Sequence, residues 1–379
     1  MAPAAVEALY GKTLPLSASK LDCFAGCRYA FFLQYGLRAL PWKQAEFDAP
    51  LFGSFVHDVL EHVVREAQAQ GGFASLTDAQ AALTERCMDA CMQTYLPQGD
   101  ARASREGYLS TRNRQEAAAV VLDVARELRL SQFTPAAEEL TFAPGGQMPP
   151  IVYHASRGDG LLTGKIDRVD TYEKDGTTYF RIVDYKTGRK DFSYTDLLYG
   201  KDLQMLLYLF ALQENQKKAG HPMQPAGALY VPGRCDMIRL EPGEDVGEAD
   251  AERRKQLRRK GLVLQDEAIL QAMEHYDDEP QYLPVQCKKD GLTGDLATPA
   301  QLAALERFVT GQVAAMIDEI LSGKTQPNPV DRGPADSACR WCDYSSACHK
   351  DVCAVSPRRF AAVKADEFWQ EIERRQRHG

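Results

Sequence analysis

The sequence predicts an α/β fold, a mixed sheet flanked by helices, and three observations lead there. The first third carries apolar residues at helical spacing, the chain from about residue 136 turns to β-rich runs, and helical and strand-like segments then follow one another. At 379 residues there is enough chain to bury one large core or two intimate ones.

The elements follow in order. "PLSASKLDCFAGCRYAFFLQYGL" opens with a Pro and a Ser cap candidate, and its aromatics at 24, 29, 31, 32 and 35 predict a packed helix pair. "GSFVHDVLEHVVREAQ" (53–68) predicts another helix, and 76–95 and 103–131 two more, each with an ordinary polar face. "AAEELTFA" reads as a strand, and "GLLTGKIDRVDTY" and "TTYFRIVDYKTG" as β-runs separated by "EKDG", whose Asp-Gly signals a hairpin. "DLQMLLYLFALQENQKK" (202–218) predicts an amphipathic helix and "PAGALYVPG" (225–233) a further strand. Residues 236–297 mix an acidic stretch, "RRKQLRRK" and a Pro- and Asp-rich segment, and are expected as an insertion. "TPAQLAALERFVTGQVAAMIDEILSGK" predicts a capped helix, followed by a Pro-rich loop, a cysteine segment and a charged tail. The expected organisation is a helical segment 1–135, a core 136–235, an insertion 236–297 and a C-terminal part 298–379.

Composition narrows the function classes. The N-terminus lacks a basic start followed by a long apolar run, and no stretch of about 18 uncharged apolar residues occurs, so no membrane partner is expected and the chain reads as cytoplasmic. Ten cysteines in that setting read as thiols and metal ligands, not as a disulfide framework. A formal charge of -8 argues against nonspecific wrapping of nucleic acid, which depends on Lys and Arg displacing counterions. It is compatible with a local basic channel and with a site built from cation-binding carboxylates.

The hairpin carries the most chemistry. Asp167 lies in "GKIDRVD", while Asp184 and Lys186 stand two apart in "DYKTG" and so share one face of a strand. Converging carboxylates repel unless a cation sits between them, and Mg²⁺ favours such oxygens together with water and a substrate phosphate. Lys186 is then placed to orient the attacking water or stabilise charge on the phosphate. Asp-x-Lys alone is more often a surface ion pair. The ordered series of His57, Asp167, Asp184, Lys186, Gln204 and Tyr208, the last two spaced four apart on one helix, raises the odds.

This series resembles the PD-(D/E)xK nuclease superfamily, with its restriction-endonuclease-like core, and within it the RecB-like exonuclease modules of bacterial recombination-repair helicase-nucleases; the resemblance spans most of the chain. It implies that His57, Asp167 and Asp184 are Mg²⁺ or Mn²⁺ ligands, with the Tyr185 backbone carbonyl completing the shell, and that Asp167, Asp184, Lys186, Gln204 and Tyr208 are the catalytic set. It also implies that Gln204 and Tyr208 support the site and contact DNA. Glu139 in "EELTF" fits the acidic residue that opens such a core, with Glu138 adjacent. Lys165, Arg168, Arg189 and Lys190 neighbour the carboxylates and are candidates to line a strand-guiding channel, Arg168, Arg189 and Lys190 foremost. "RRKQLRRK" puts six basic residues in eight, which fits a backbone-tracking surface or, somewhat better, a solvated helix face.

"CRWCDYSSAC" (339–348) taken alone fits zinc, an iron–sulfur cluster or nothing, and Cys353 would make a wholly local site. Cys87 and Cys91 read as buried thiols. By resemblance to AddB-type nuclease domains and CRISPR-adaptation nucleases, Cys27, Cys339, Cys342 and Cys348 would hold a 4Fe-4S cluster that staples the N- and C-terminal segments, a structural rather than electron-transfer role. Cys23, one helical turn from Cys27, competes with it as the fourth ligand. The resemblance implies a deoxyribonuclease acting on DNA with free ends, preferably single-stranded, beside an AddA-like helicase partner. The rivals are a noncatalytic DNA-binding iron–sulfur scaffold, a standalone nuclease of the CRISPR-adaptation type and an iron–sulfur redox protein. A scaffold would normally have lost one of Asp167, Asp184 or Lys186, and a redox carrier has no use for the whole series.

Overall fold

The computed structural model describes the chain except residues 42–48, 77–78, 96–104, 236–237, 239–245, 290, 334–335, 351–354 and 379, and leaves out the side chains of 49–51, 105–111, 246, 248, 250 and 378. Cys353 lies outside the described residues. The chain opens with α1 (Pro3–Tyr10), β1 (Thr13–Leu16), α2 (Ala18–Gly26) and α3 (Arg28–Phe31), the last running on as a π-turn over Phe32–Gly36. A helical layer follows: α4 (Ala49–Ala69), α5 (Gln80–Tyr95) and α6 (Arg105–Leu130). Next come β2 (Thr134–Phe142), β3 (Ile151–Ala155), β4 (Gly158–Leu162), β5 (Gly164–Lys174), β6 (Thr177–Lys186), α7 (Tyr194–Leu198), α8 (Gln204–Lys218) and β7 (Gln224–Pro232). The remainder holds α9 (Val246–Leu257), β8 (Lys260–Leu264), α10 (Glu267–Met273), β9 (Val285–Lys288), β10 (Gly291–Gly294), β11 (Leu296–Ala297), α11 (Pro299–Leu321), α12 (Ser345–Cys348) and α13 (Ala365–His378).

The central sheet has the order β11-β8-β7-β6-β5-β2, with β6–β7 and β8–β11 parallel and the other pairs antiparallel. It is the mixed, helix-flanked sheet that the pattern of elements predicts. The expected Asp-Gly hairpin joins β5 to β6. Asp175 and Gly176 have φ of 51° and 76°, the doubly positive geometry of a type I′ turn that matches strand twist. Alternation then sorts β6. Phe180 and Ile182 enter the core beneath α8 and α11, whereas Val183 and Tyr185 enter the second core formed by α4, α5 and α6. Asp184 and Lys186 share the parity of Phe180 and Ile182 and so face α8.

Several elements differ from the sequence-based expectation. "GLLTGKIDRVDTY" is two strands, broken at Thr163, whose N–H donates to the Leu16 carbonyl at 3.1 Å. The first of them pairs with β1 and β3 in a separate three-stranded sheet. Helix α8 is not amphipathic over its first half. Met205 through Leu212 are all buried, because the helix lies between the sheet and α11. The stretch 236–297, expected as an insertion, supplies β8 and β11 to the central sheet. Helix α11 is capped as expected: the Thr298 hydroxyl accepts from Gln301 N, and the Gln301 side chain accepts from Thr298 N.

Candidate active site

The candidate site forms where β2, β5 and β6 end beneath the N-terminus of α8. Asp184 and Lys186, two apart on β6, point the same way, and Lys186 Nζ lies 2.6 Å from Asp184 Oδ2. Gln204, the first residue of α8, clamps both: its Nε2 donates to Asp184 Oδ1 at 3.0 Å, and its Oε1 accepts from Lys186 Nζ at 3.2 Å. Asp184 Oδ2 is buried and accepts no aligned hydrogen bond from the described residues, so its one close partner is the Lys186 ion pair. Burial first, then the Asp167 charge, pushes the Asp184 carboxyl up to about 6, with Lys186 opposing the rise.

A second group of donors lies on the other side of Asp184. Asp167 Oδ2 accepts from the Tyr185 backbone N–H at 2.8 Å and lies 3.3 Å from His57 Nδ1. His57, reaching in from α4, places Nε2 2.7 Å from the Tyr185 carbonyl. One side chain thus touches both the carbonyl and the carboxylate that the sequence singles out. Burial alone would lower the imidazole pKa, but Asp167, the Tyr185 carbonyl and Asp184 together raise it above the ordinary value. Ligand atoms of His57, Glu139 and Asp167 all lie within 4.8 Å of one another.

Glu139 rather than Glu138 joins this group, and the backbone shows how. Register pairs Glu138 with Arg168 and Leu140 with Ile166, which sets Glu139 opposite Asp167. Its φ of 54° is in the left-handed region, uncommon for a non-glycine residue and a form of strain that collects at functional sites. Glu139 is ion-paired to Lys165, whereas Glu138 lies half-buried in the fields of Arg65 and Arg168.

Two expected site residues sit differently. Arg168, expected to contact DNA, is fully buried, because alternation along β5 turns it away from Asp167 and toward the helical layer. Its Nε and Nη2 donate to Asp170 at 2.8 and 3.0 Å, and its Nη1 donates to the Tyr185 hydroxyl at 2.7 Å. Asp170 also accepts from Arg181 Nε at 2.8 Å, Arg181 pairs with Glu127 at 3.1 Å, and Arg259 binds Glu127 and Asp123. The result is a buried array of three guanidiniums and three carboxylates between sheet and helices, and the phenol of Tyr185 is anchored in it. Against the burial that would raise it, Arg259, Arg181 and Arg168 hold the Glu127 carboxyl down at about 2. Arg259 therefore leaves the basic run "RRKQLRRK" as a structural residue. Arg181, in the middle of an apolar strand, was the sequence signal for this array.

Tyr208 is 7% exposed, and burial pushes its phenol up to about 12. Its ring lies edge-on to Phe142 with centroids 5.1 Å apart, against the backbone of Gly164, where an added Cβ would meet both rings at 2.7 Å. That placement suits support of β5 better than contact with a strand. Arg189 and Lys190 lie on the loop after Lys186 and line a cavity of about 300 Å³ with it.

Away from this site, Cys27, Cys339, Cys342 and Cys348 line one narrow, almost wholly apolar pocket between α3 and the C-terminal segment. Cys23 does not line it. Its Sγ donates to Gln34 Oε1 at 3.4 Å, and burial, then the neighbouring Cys27 and Cys342, pushes its thiol up to about 12. No disulfide joins the described cysteines. Among the described residues no helix is long and apolar enough to cross a membrane.

Comparison with known proteins agrees with this geometry. The chain is 31% identical over 385 residues to AddB, the second component of the ATP-dependent helicase/deoxyribonuclease, from Thermoanaerobacter sp. (strain X514), covering 98% of this chain and 33% of that protein. The AddB of Caldanaerobacter subterraneus subsp. tengcongensis is 32% identical over 361 residues (91% and 30%). That of Clostridium kluyveri is 32% identical over 393 residues (97% and 33%). The chain is thus homologous to AddB and spans about a third of the length of these relatives. Residues 15–349, which include every group of the site above, match the PD-(D/E)XK nuclease superfamily, and the chain belongs to it.

Proposed function

We propose that the chain is a Mg²⁺- or Mn²⁺-dependent deoxyribonuclease that hydrolyses phosphodiester bonds, acting foremost on single-stranded DNA with free ends. The observation that carries this reading is the convergence of two donor groups on one point, His57–Glu139–Asp167 on one side and Asp184–Lys186–Gln204 on the other. The residues fit a hard divalent cation. Three carboxylates, an imidazole and the Tyr185 carbonyl are the donors, and the buried Asp184 Oδ2 has room for a partner beyond Lys186. When bound, such a cation supplies charge neutralisation at the phosphate and eases ionisation of water.

The protein groups do the rest. Asp184 keeps Lys186 charged, and Gln204 fixes the distance between them, so the ammonium is held where charge develops on the phosphate. His57 and Asp167 hold the Tyr185 peptide from both sides. The array beneath Tyr185 holds its ring, so the peptide between Asp184 and Lys186 cannot turn away. Cys27, Cys339, Cys342 and Cys348 would hold a 4Fe-4S cluster of structural role: four soft sulfurs in one apolar pocket are a suitable donor set. Because the relatives are named as components of helicase/deoxyribonucleases, a helicase partner and a cytoplasmic setting complete the reading.

The test is end-labelled single- and double-stranded DNA incubated with Mg²⁺, Mn²⁺ or chelator, following product length. Lys186→Ala is expected to lower the rate by about 10²–10³-fold. Cleavage by Lys186→Ala at the wild-type rate, with contaminating nuclease excluded, would sink the assignment.

A further inference from the structure

The cavity beside Lys186 has walls that the site itself does not explain. Loop 187–191 contributes Arg189 and Lys190, the end of β7 leads into Arg234, and the far wall is Lys255 of α9 and Lys260 at the start of β8. With Lys186 the lining holds six cations and one carboxylate, Asp191, in a chain whose formal charge is -8. Asp191 is shared loosely, 3.7 Å from Arg189 and 3.8 Å from Lys260. The other pairings point outward from the lining: Lys190 to Asp202 at 2.5 Å, Arg234 to Glu116 at 3.1 Å and Lys255 to Glu252 at 3.3 Å. Lys186 and Lys190 both lie over the Tyr230 ring, at 5.9 and 5.6 Å, which forms the apolar floor between them.

Register gives the cavity a direction. Asp184 pairs with Tyr230, and Tyr230 with Lys260, so Lys260 lies in the same row as Asp184, two strands away. At the usual strand spacing that is about 10 Å across the sheet. At about 3.4 Å of rise per nucleotide of one strand, this distance spans about three phosphates.

We propose that this groove, walled by Arg189, Lys190, Arg234, Lys255 and Lys260, holds the DNA backbone phosphates that flank the cleaved one, so that the strand runs from Lys186 across β7 toward β8. The inference rests on the nuclease reading for the cleaved phosphate and adds the path of the strand. It gives a role to residues 234–260, which the sequence marks only as an insertion with a basic run.

The test is equilibrium binding of a labelled single-stranded oligonucleotide as salt is raised, in an Asp184→Asn background that leaves the groove intact. Lys255→Glu/Lys260→Glu is expected to weaken binding about tenfold or more. Lys255→Gln/Lys260→Gln should lower the slope of log affinity against log salt by about 1.4, the share of two phosphate contacts on a single strand. These side chains are 76% and 42% exposed, and the Gln pair guards against a fold defect in the Glu pair. Lys217→Glu/Lys218→Glu, the same charge change at the far end of α8, should leave affinity within about twofold. Unchanged affinity and slope in the groove variants, or an equal loss in the α8 control, would overturn the proposal. Wild-type protein that shows the groove's salt dependence yet cleaves no DNA would leave the groove standing and remove the nuclease reading. Cleavage with groove variants that bind normally would do the reverse.

Discussion

Replacing Asp184 by Asn should make the metal-free protein more stable, and the gain should depend on pH. The buried carboxyl is pushed up to about 6 from an ordinary value of 3.8. A folded-state pKa above the unfolded one means that the unfolded chain gives up this proton first. Stability therefore falls as pH rises from about 4, and levels off above about 6. Two pKa units correspond to about 3 kcal/mol of cost when the carboxylate is fully ionised. By the same linkage, roughly half of that is already present at pH 5. Asn has the shape of the protonated acid and escapes the cost. Urea denaturation of wild type and Asp184→Asn in chelator should show the variant ahead by about 3 kcal/mol at pH 8, and the lead shrinking by about 1.4 kcal/mol at pH 5. Added Mg²⁺ should restore wild type and leave the variant unmoved, because a ligand that binds only the folded state stabilises by mass action. A variant less stable than wild type at pH 8, or a lead that does not change between pH 5 and 8, would refute the reasoning.

Two further outcomes follow from the geometry. Arg168→Leu leaves Asp170 buried with one guanidinium fewer and should destabilise by about 3–5 kcal/mol in the same denaturation assay; were Arg168 instead a DNA contact, stability would hold and only the salt dependence of binding would change. Cys27→Ala and Cys342→Ala should both lose iron and visible absorbance after anaerobic purification, while Cys23→Ala retains them; the reverse pattern would move the ligand to Cys23.

The juxtaposition of Asp167, Asp184, Lys186 and Gln204 was legible because it depends on local rules. Period-2 alternation puts 184 and 186 on one face, an Asp-Gly turn folds β5 onto β6, and a helix start two residues after Asp202 brings in Gln204. Arg168 was misread because a basic residue beside a carboxylate in sequence lies on the opposite face of the strand, and the sequence does not show that α6 brings Glu127 to meet that face. Glu139 could not be separated from Glu138, since the choice depends on one left-handed residue within a strand. The groove was hidden for another reason: Lys260 approaches Lys186 only through the pairing of β8 with β7, a contact between segments with no shared pattern.

The two ends of the described chain are also sewn together without help from the cysteines. Val330 N donates to the Gly26 carbonyl at 2.9 Å, Arg28 N donates to Asn328 Oδ1 at 2.9 Å, and the Tyr344 hydroxyl donates to the Ala39 carbonyl at 2.9 Å. Such pairings join residues some three hundred positions apart, the kind of contact whose closure slows folding most. In the order of synthesis, α2 and α3 are made early and find their partners only when the segment after α11 appears. Until then the aromatic face around Phe24, Phe31 and Tyr35, and the Cys27 thiol beside it, stand uncovered. The same interlock that makes the finished ends hard to pull apart thus sets a long interval in which the nascent chain is open to misassembly and its thiol to oxidation.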